Sequence, residues 1–227
     1  MQGTDRRRQL IETALDVFSR KGFDGATTKE IAVEAGVTEA IIFRHFPTKQ
    51  ALYTAVVQAR RDLAEIEAWM AAVKSFIGRN DDAGLFREIA RAMLSCYRDD
   101  PRHERVMLYA ALEGQQQTLV ENRRFSLPIK KMLTDYVGRR QREGALKPGP
   151  PGAVIAAIAG MASHYAMMTS LFGFDTGVKD DEMVDAFVNI LMDGVRARKS
   201  EPGTSSEPGT SKAGASKAKK SKAGKSK

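Results

Sequence analysis

From Leu10 to Leu191, apolar side chains recur at intervals of three and four, and no run alternates with a period of two between turn residues. The first spacing lays apolar groups along one face of a helix, whereas a half-buried strand needs the second. The expected fold class is therefore all-α. A first helix is expected from Thr4 or Asp5 to Lys21, with Leu10, Ile11, Ala14, Leu15, Val17 and Phe18 inward. Gly22 stands where a left-handed C-terminal cap belongs. Thr27 and Glu30 fit a capping box, each side chain covering a backbone donor at the start of a second helix with Ile31, Ala32 and Ala35 inside and Gly36 at its end. A third helix runs from Thr38 to about His45. Pro47 breaks it, and Thr48 caps a long fourth helix from Lys49 towards Ile77. After a loop at 79–84, helices are expected at about 85–98, 102–115 and 119–143, the last kinked or interrupted by Pro128. Two more are expected at 153–172 and 180–198.

Between Lys147 and Asp175 lie 27 residues without Asp, Glu, Lys or Arg, long enough to span a bilayer. The stretch opens on Pro148, Gly149, Pro150, Pro151 and Gly152, is rich in alanine, and contains Ser163, His164, Tyr165, Thr169 and Ser170. Those polar groups favour a buried helix over a membrane span, and no membrane partner is expected. The net charge is +8, of which residues 199–227 supply +6 through eight lysines and two glutamates. The rest carries only +2, so the basic balance reports the tail and cannot argue for nucleic acid in the folded part. Ser-Glu-Pro-Gly-Thr-Ser occurs at 200–205 and again at 206–211, followed by Lys, Ala, Ser and Gly alone. No core can be built from that composition, and disorder is expected. A lone cysteine, Cys96, excludes an intramolecular disulfide framework. The polar, arginine-bearing start from Met1 to Gln9 gives no secretory signal, so a cytoplasmic protein is expected.

The stretch that carries function is Thr27–Lys49, TTKEIAVEAGVTEAIIFRHFPTK. Two short helices joined at Gly36-Val37 make a helix–turn–helix pattern, although an ordinary helical hairpin shares it. Ala32 is small where the helices meet. Ile31, Val37, Ile41 and Ile42 anchor the pair, and polar residues remain on the outer face of the second helix, as a helix in a major groove requires. From about Arg8 to Ala55 the chain resembles the N-terminal domain of the TetR family of transcriptional repressors. The matching residues are Ala14, Leu15, Phe18, Gly22-Phe23, Thr27-Thr28, Ile31-Ala32, Ala35-Gly36-Val37, Phe43-Arg44-His45-Phe46, Lys49, Ala51 and Leu52. They cover about a fifth of the chain; beyond them the likeness is one of helix count and length.

The resemblance implies a three-helix DNA-binding domain over 1–50, a helical ligand-sensing and dimerising domain over 51–198, and the tail at 199–227. It places Thr28 and Lys29 near the DNA backbone or groove edge, and Thr38, Glu39, Ala40 and Ile41 on the leading face of the recognition helix. Phe43 stands where the family usually has a tyrosine on phosphate, and the missing hydroxyl removes that bond while leaving ring packing. His45 and Lys49 resemble phosphate-facing positions, and a lysine at a helix start suits an anion. Glu39 reads two ways: its carboxylate is repelled by phosphates yet can accept from a cytosine amino group, or it faces solvent near the helix start. Arg44 either contacts phosphate or lies on a solvated face.

No catalytic constellation is present, so no enzyme, cofactor or metal is expected. His45, His103 and His164 lie far apart and show no ligand spacing with Cys96, and no phosphate loop or nucleophile elbow occurs. His164, in an apolar helix, is expected in the core or at an interface. The helix at 153–172 is apolar nearly all round, so both faces should be buried. Ala156, Ala159, Gly160, Ser163 and Met167, with Met183, Phe187, Ile190 and Leu191 of the final helix, are expected to build a homodimer interface. Trp69, Met93, Tyr97, Met107, Tyr109, Phe125, Met161 and Met168 are candidates to line an effector cavity, with Met132, Met167 and Phe172 as further members, although such residues at helical spacing are usually core. The partners expected are a double-stranded DNA operator, a second copy of the chain and a small effector, hydrophobic or amphipathic by the resemblance. The long fourth helix, up to roughly 45 Å, would be the lever between domains. A ligand-independent or architectural DNA-binding protein acting through its lysine tail is the alternative, and an enzyme carrying a DNA-binding module is a weaker one.

Overall fold

The structure is a computed structural model and describes residues 3–59 and 63–196. These residues form ten helices: α1 (Gly3–Gly25), α2 (Thr28–Glu34), α3 (Glu39–His45), α4 (Lys49–Gln58), α5 (Leu63–Arg79), α6 (Asp82–Arg98), α7 (Arg102–Leu112), α8 (Gln116–Arg142), α9 (Pro151–Leu171) and α10 (Asp180–Val195). No strand occurs among them; Leu146 and Arg196 make an isolated antiparallel bridge. The tail expected to be disordered, and the last turn expected up to residue 198, lie outside the described residues.

Local chemistry sets several helix ends. The Thr27 hydroxyl accepts from the Glu30 amide at 3.1 Å, and the Thr48 hydroxyl from the Ala51 amide at 3.0 Å. Only half of the expected capping box forms, because the Glu30 carboxylate goes to Lys21 Nζ at 2.6 Å. Gly22 has the positive φ expected, 72°, but its ψ of −175° is extended. That region is open essentially to glycine alone, and it kinks α1 into one more turn instead of capping it in the left-handed helical region.

Two hydrophobic clusters organise the chain. The first buries Leu10, Ala14, Val17 and Phe18 of α1 with Ile31, Ala32, Ile42, Phe46, Leu52, Tyr53 and Val56. Val106 and Ala110 of α7 join it from far along the chain. The Tyr53 ring meets Phe18 and Phe23 edge-on at 4.8 and 5.1 Å, each such pair contributing about 0.5–1.5 kcal/mol beyond burial. Tyr53 Oη donates to the Val106 carbonyl at 3.1 Å. The second cluster gathers Val73, Leu85, Phe86, Ile89, Val137, Ile158, Ala162 and Val188.

Within that second cluster, α9 packs on α6, α8 and α10 through Val154, Ile155, Ile158, Ala162, Tyr165 and Ala166. Tyr165 Oη is held by the Val178 carbonyl and by Asp180, at 3.2 and 3.1 Å. By length and composition α9 could cross a membrane, but this face is committed to neighbouring helices. Its opposite face, with Ala153, Ala156, Ala157, Gly160 and His164, is exposed. A single chain therefore covers one face of α9, not both, and His164 is out of the core.

The long fourth helix is not there. α4 stops at Gln58, with Ala59 at φ −78° and ψ 10° as its cap, and α5 starts at Leu63. The physical reason is a division of loyalty: Leu52, Tyr53 and Val56 serve the first cluster, and Val73 serves the second. At ten residues α4 is about 15 Å long, a third of the expected lever. The loop expected at 79–84 shrinks to Asn80 and Asp81, because the Asp81 carboxylate caps α6 by accepting from the Gly84 amide at 2.8 Å. α8 runs through Pro128 as one helix.

Candidate nucleic-acid interface

The α2–α3 turn follows from three residues. Gly36 takes φ 65°, its amide bonds to the Val33 carbonyl at 3.1 Å, and the Val37 amide reaches back to the Ala32 carbonyl at 2.9 Å. This paired closure is a Schellman motif, which needs a left-handed residue at its centre. It delivers α3 with Ile42 fully buried and Ile41 packed against the first cluster. Thr38, Ala40, Phe43 and Arg44 are left on the outside, Phe43 at 45% exposure. Lys29, on the first turn of α2, is exposed as well.

Glu39 neither hangs free nor meets a cation among the described residues. The Thr28 hydroxyl donates to its Oε1 at 2.6 Å, joining the first turn of α2 to the first turn of α3. Both residues are half-buried. Lys49, at the start of α4, lies with Nζ 4.3 Å from the centre of the Phe23 ring. A cation at a helix N-terminus opposes the helix dipole, so an anion arriving there relieves it. His45 is half-buried with Nε2 covered and without a hydrogen-bond partner; a phosphate contact would fall to its other ring nitrogen.

Sequence reasoning missed three residues beside this surface. Arg6 donates to Gln9 Oε1 at 2.6 Å, and Gln9 Nε2 donates to the Ala35 carbonyl at 3.2 Å, tying the start of α1 to the α2–α3 turn. The Arg7 guanidinium lies 4.9 Å from the Phe46 ring centre, just beyond α3. The signal was available in the Arg6-Arg7-Arg8 run.

One face of α7 holds the far end of α1. Arg102 pairs with Glu12 at 2.7 Å, Arg105 Nε donates to the Ser19 carbonyl at 3.0 Å, and Tyr109 Oη donates to the Arg20 carbonyl at 3.2 Å. Glu113 accepts from the Phe23 and Asp24 amides at 2.9 and 3.3 Å. Met107 and Tyr109, expected around an effector, therefore face the first cluster and α1. The reason is that α7 packs on α1. Trp69, Met93, Tyr97, Met132 and Met161 do pack against the second cluster, and Met167 and Met168 are half-buried on α9. Phe172 is exposed, and the side chain of Phe125 lies outside the described residues. The Trp69 indole N–H is covered and has no acceptor.

Of the interface residues, Ala156, Gly160 and Ile190 are exposed, Ile190 at 65%, while Ala159, Ser163, Met167, Met183 and Phe187 are half-buried. Leu191 is a correction: at 7% exposure it belongs to the second cluster and turns away from the outer face. Among the described residues, no three His, Cys, Asp or Glu side chains gather as a metal would need.

Comparison with known proteins fits this geometry. Residues 10–56, the span from the buried face of α1 through α4, match the family model of bacterial regulatory proteins, tetR family. The chain belongs to the TetR family. It is thus a helix–turn–helix DNA-binding regulator of transcription. This TetR-family chain is 28% identical over 204 residues to the HTH-type transcriptional regulator RutR of Escherichia coli K12, covering 85% of this chain and 92% of that one. In fold it is similar to NalD of Pseudomonas aeruginosa, a secondary repressor of the MexAB-OprM multidrug efflux pump, with a TM-score of 0.62, 19% identity and coverage of 86% and 98%. It is also similar in fold to AibR, solved with isovaleryl coenzyme A and operator DNA, with a TM-score of 0.60, 18% identity and coverage of 82% and 97%.

Proposed function

We propose that this TetR-family chain is a cytoplasmic, sequence-specific repressor that binds a palindromic operator as a homodimer and is released by a small hydrophobic or amphipathic effector. In this reading residues 1–50 read DNA, with α3 in the major groove and Thr28, Lys29, Thr38, Glu39, Ala40, Ile41, Phe43, Arg44, His45 and Lys49 at the contact. Residues 51–198 sense and dimerise. The observation that carries it is α3 itself, anchored by Ile42 and open on the side of Thr38, Ala40, Phe43 and Arg44. The uncharged outer face of α9, together with the exposed Ile190 of α10, supports a two-fold partner. Such a dimer sets its two recognition helices one DNA turn apart, ~34–36 Å, or a multiple of it. The covered, unpaired N–H of Trp69, which packs against the second cluster as Met93, Tyr97 and Met161 do, supports an effector site there, since leaving a buried donor unmet costs about 1–3 kcal/mol. An effector that prefers a badly spaced dimer would then empty the operator.

The test is binding of the full chain to DNA upstream of its own and neighbouring genes at about 150 mM salt with competitor, where sequence-blind binding is weak. A protected palindrome that survives deletion of residues 199–227 supports the proposal. Binding that ignores sequence and disappears with the tail would transfer the function to those eight lysines, the architectural reading.

A further inference from the structure

Glu39 poses a chemical problem that its position sharpens. If α3 enters the major groove, a carboxylate rides with it towards a polyanion, and among the described residues no arginine or lysine neutralises it. The Thr28 hydroxyl, at 2.6 Å from Oε1, fixes the direction of the side chain but occupies only one of its two oxygens. Both residues begin their helices, so the bond ties the carboxylate to the backbone of α2 as well as α3. Oε2 is left as an acceptor at the leading end of α3, next to exposed Thr38 and Ala40.

An ionised carboxylate can only accept hydrogen bonds. In the major groove guanine offers N7 and O6, both acceptors, and thymine offers O4 and a methyl group. Adenine places its N6 amino group beside the N7 acceptor. Cytosine offers its N4 amino group and no acceptor of its own. We infer that Glu39, held by Thr28, is a specificity-determining residue that reads a cytosine in each operator half-site. This rests on the proposal that α3 is the groove-facing helix. Thr28 is then a positioning residue, acting through the carboxylate it restrains.

The experiment is selection from a randomised duplex pool with the full chain and with Glu39→Gln, Glu39→Ala and Thr28→Val. The wild-type chain should select a palindrome with a fixed cytosine under the start of α3, preferred about tenfold over other bases. Glu39→Ala should keep the palindrome and lose the preference at that one position. Glu39→Gln, which can still accept from Thr28 and so preserves the fold, should move the preference to adenine, because an amide matches its N6 and N7 together. Thr28→Val should weaken the cytosine preference while other positions hold. If the cytosine persists in both Glu39 variants, or if Glu39→Ala raises affinity equally for every sequence, the inference is overturned and the carboxylate merely repels. If the wild-type chain selects no palindrome, the groove-facing reading of α3 falls, and this inference with it.

Discussion

Glu113 occupies the space that a side chain on Gly22 would need. A Cβ at Gly22 would overlap Glu113 Oε1 and press on the Tyr109 ring, and the same carboxylate caps the Phe23 and Asp24 amides. Gly22→Ala therefore meets two penalties, a backbone region closed to other residues and a clash. It should destabilise the fold by at least about 1–3 kcal/mol, read as an earlier midpoint in urea unfolding. Glu113→Ala should also destabilise, and Glu113→Gln by less, since its amide oxygen still accepts. A Gly22→Ala midpoint equal to wild type would disprove this account.

Tyr53 and Tyr136 set an alkaline limit. Burial pushes the Tyr53 phenol well above its ordinary value near 10, with Glu113 and Asp24 adding to the rise. Burial and the bond to Asp82 do the same for Tyr136. The folded chain thus keeps protons that the unfolded chain releases above pH 10. Stability should be flat with respect to these groups below pH 10 and fall as pH climbs above it. Tyr53→Phe should flatten part of that decline and cost about 1–2 kcal/mol at neutral pH, because the Val106 carbonyl loses its donor. Unfolding curves between pH 8 and 11 check both, the window bracketing the tyrosine value.

Asp82 is the cornerstone of the joint between α6 and α8. Arg140 donates to it through Nε and Nη2 at 2.9 and 3.0 Å, and Tyr136 Oη at 2.5 Å. The pair is mostly buried, with side-chain exposures of 15% and 10%. Asp82→Ala leaves the Tyr136 hydroxyl without its acceptor and the Arg140 guanidinium with Glu143 alone, at 2.7 Å, so it should cost about 3 kcal/mol, far more than loss of the exposed pair between Lys131 and Asp135. Comparable losses from Asp82→Ala and Asp135→Ala in denaturant unfolding would refute this ranking.

Gly160 offers a clean test of the dimer. Nothing lies within 4 Å of where its Cβ would sit, so the single chain has room for a leucine there. Across a tight helix-to-helix contact there would be none. Gly160→Leu should leave helix content and unfolding temperature of the separated chain unimpaired while light scattering shows a monomer, and operator binding should weaken. Ile190→Asp should act alike. A Gly160→Leu chain that stays dimeric would move the interface elsewhere.

The legible parts were those encoded within a few residues. Thr27 and Thr48 mark helix starts because each hydroxyl accepts from the amide three residues on, Gly36 marks an end because its amide donates to the carbonyl three residues back, and the buried face of α1 follows from spacing alone. Two arrangements escaped it for one cause. Ala55, Val56, Ala59 and Leu63 keep helical spacing with no Gly or Pro to mark the end of α4, and Tyr109 sits on an amphipathic helix whose partner spacing cannot name. Periodicity says which side chains turn inward, not towards which neighbour. The Thr28–Glu39 bond, eleven residues apart across a turn, is tertiary in origin and invisible for the same reason.

The membership of Val106 and Ala110 in the first cluster bears on how such regulators can be recombined. A reading head cut out after α4 would carry Tyr53 with its hydroxyl unmatched and a bare apolar patch where α7 had been. The transplantable unit is thus discontinuous in the gene: helices α1–α4 together with a strap encoded some fifty codons downstream. A chimera that exchanges DNA specificity between two such chains should therefore inherit both segments from the same parent, or have the strap redesigned to fit its new head.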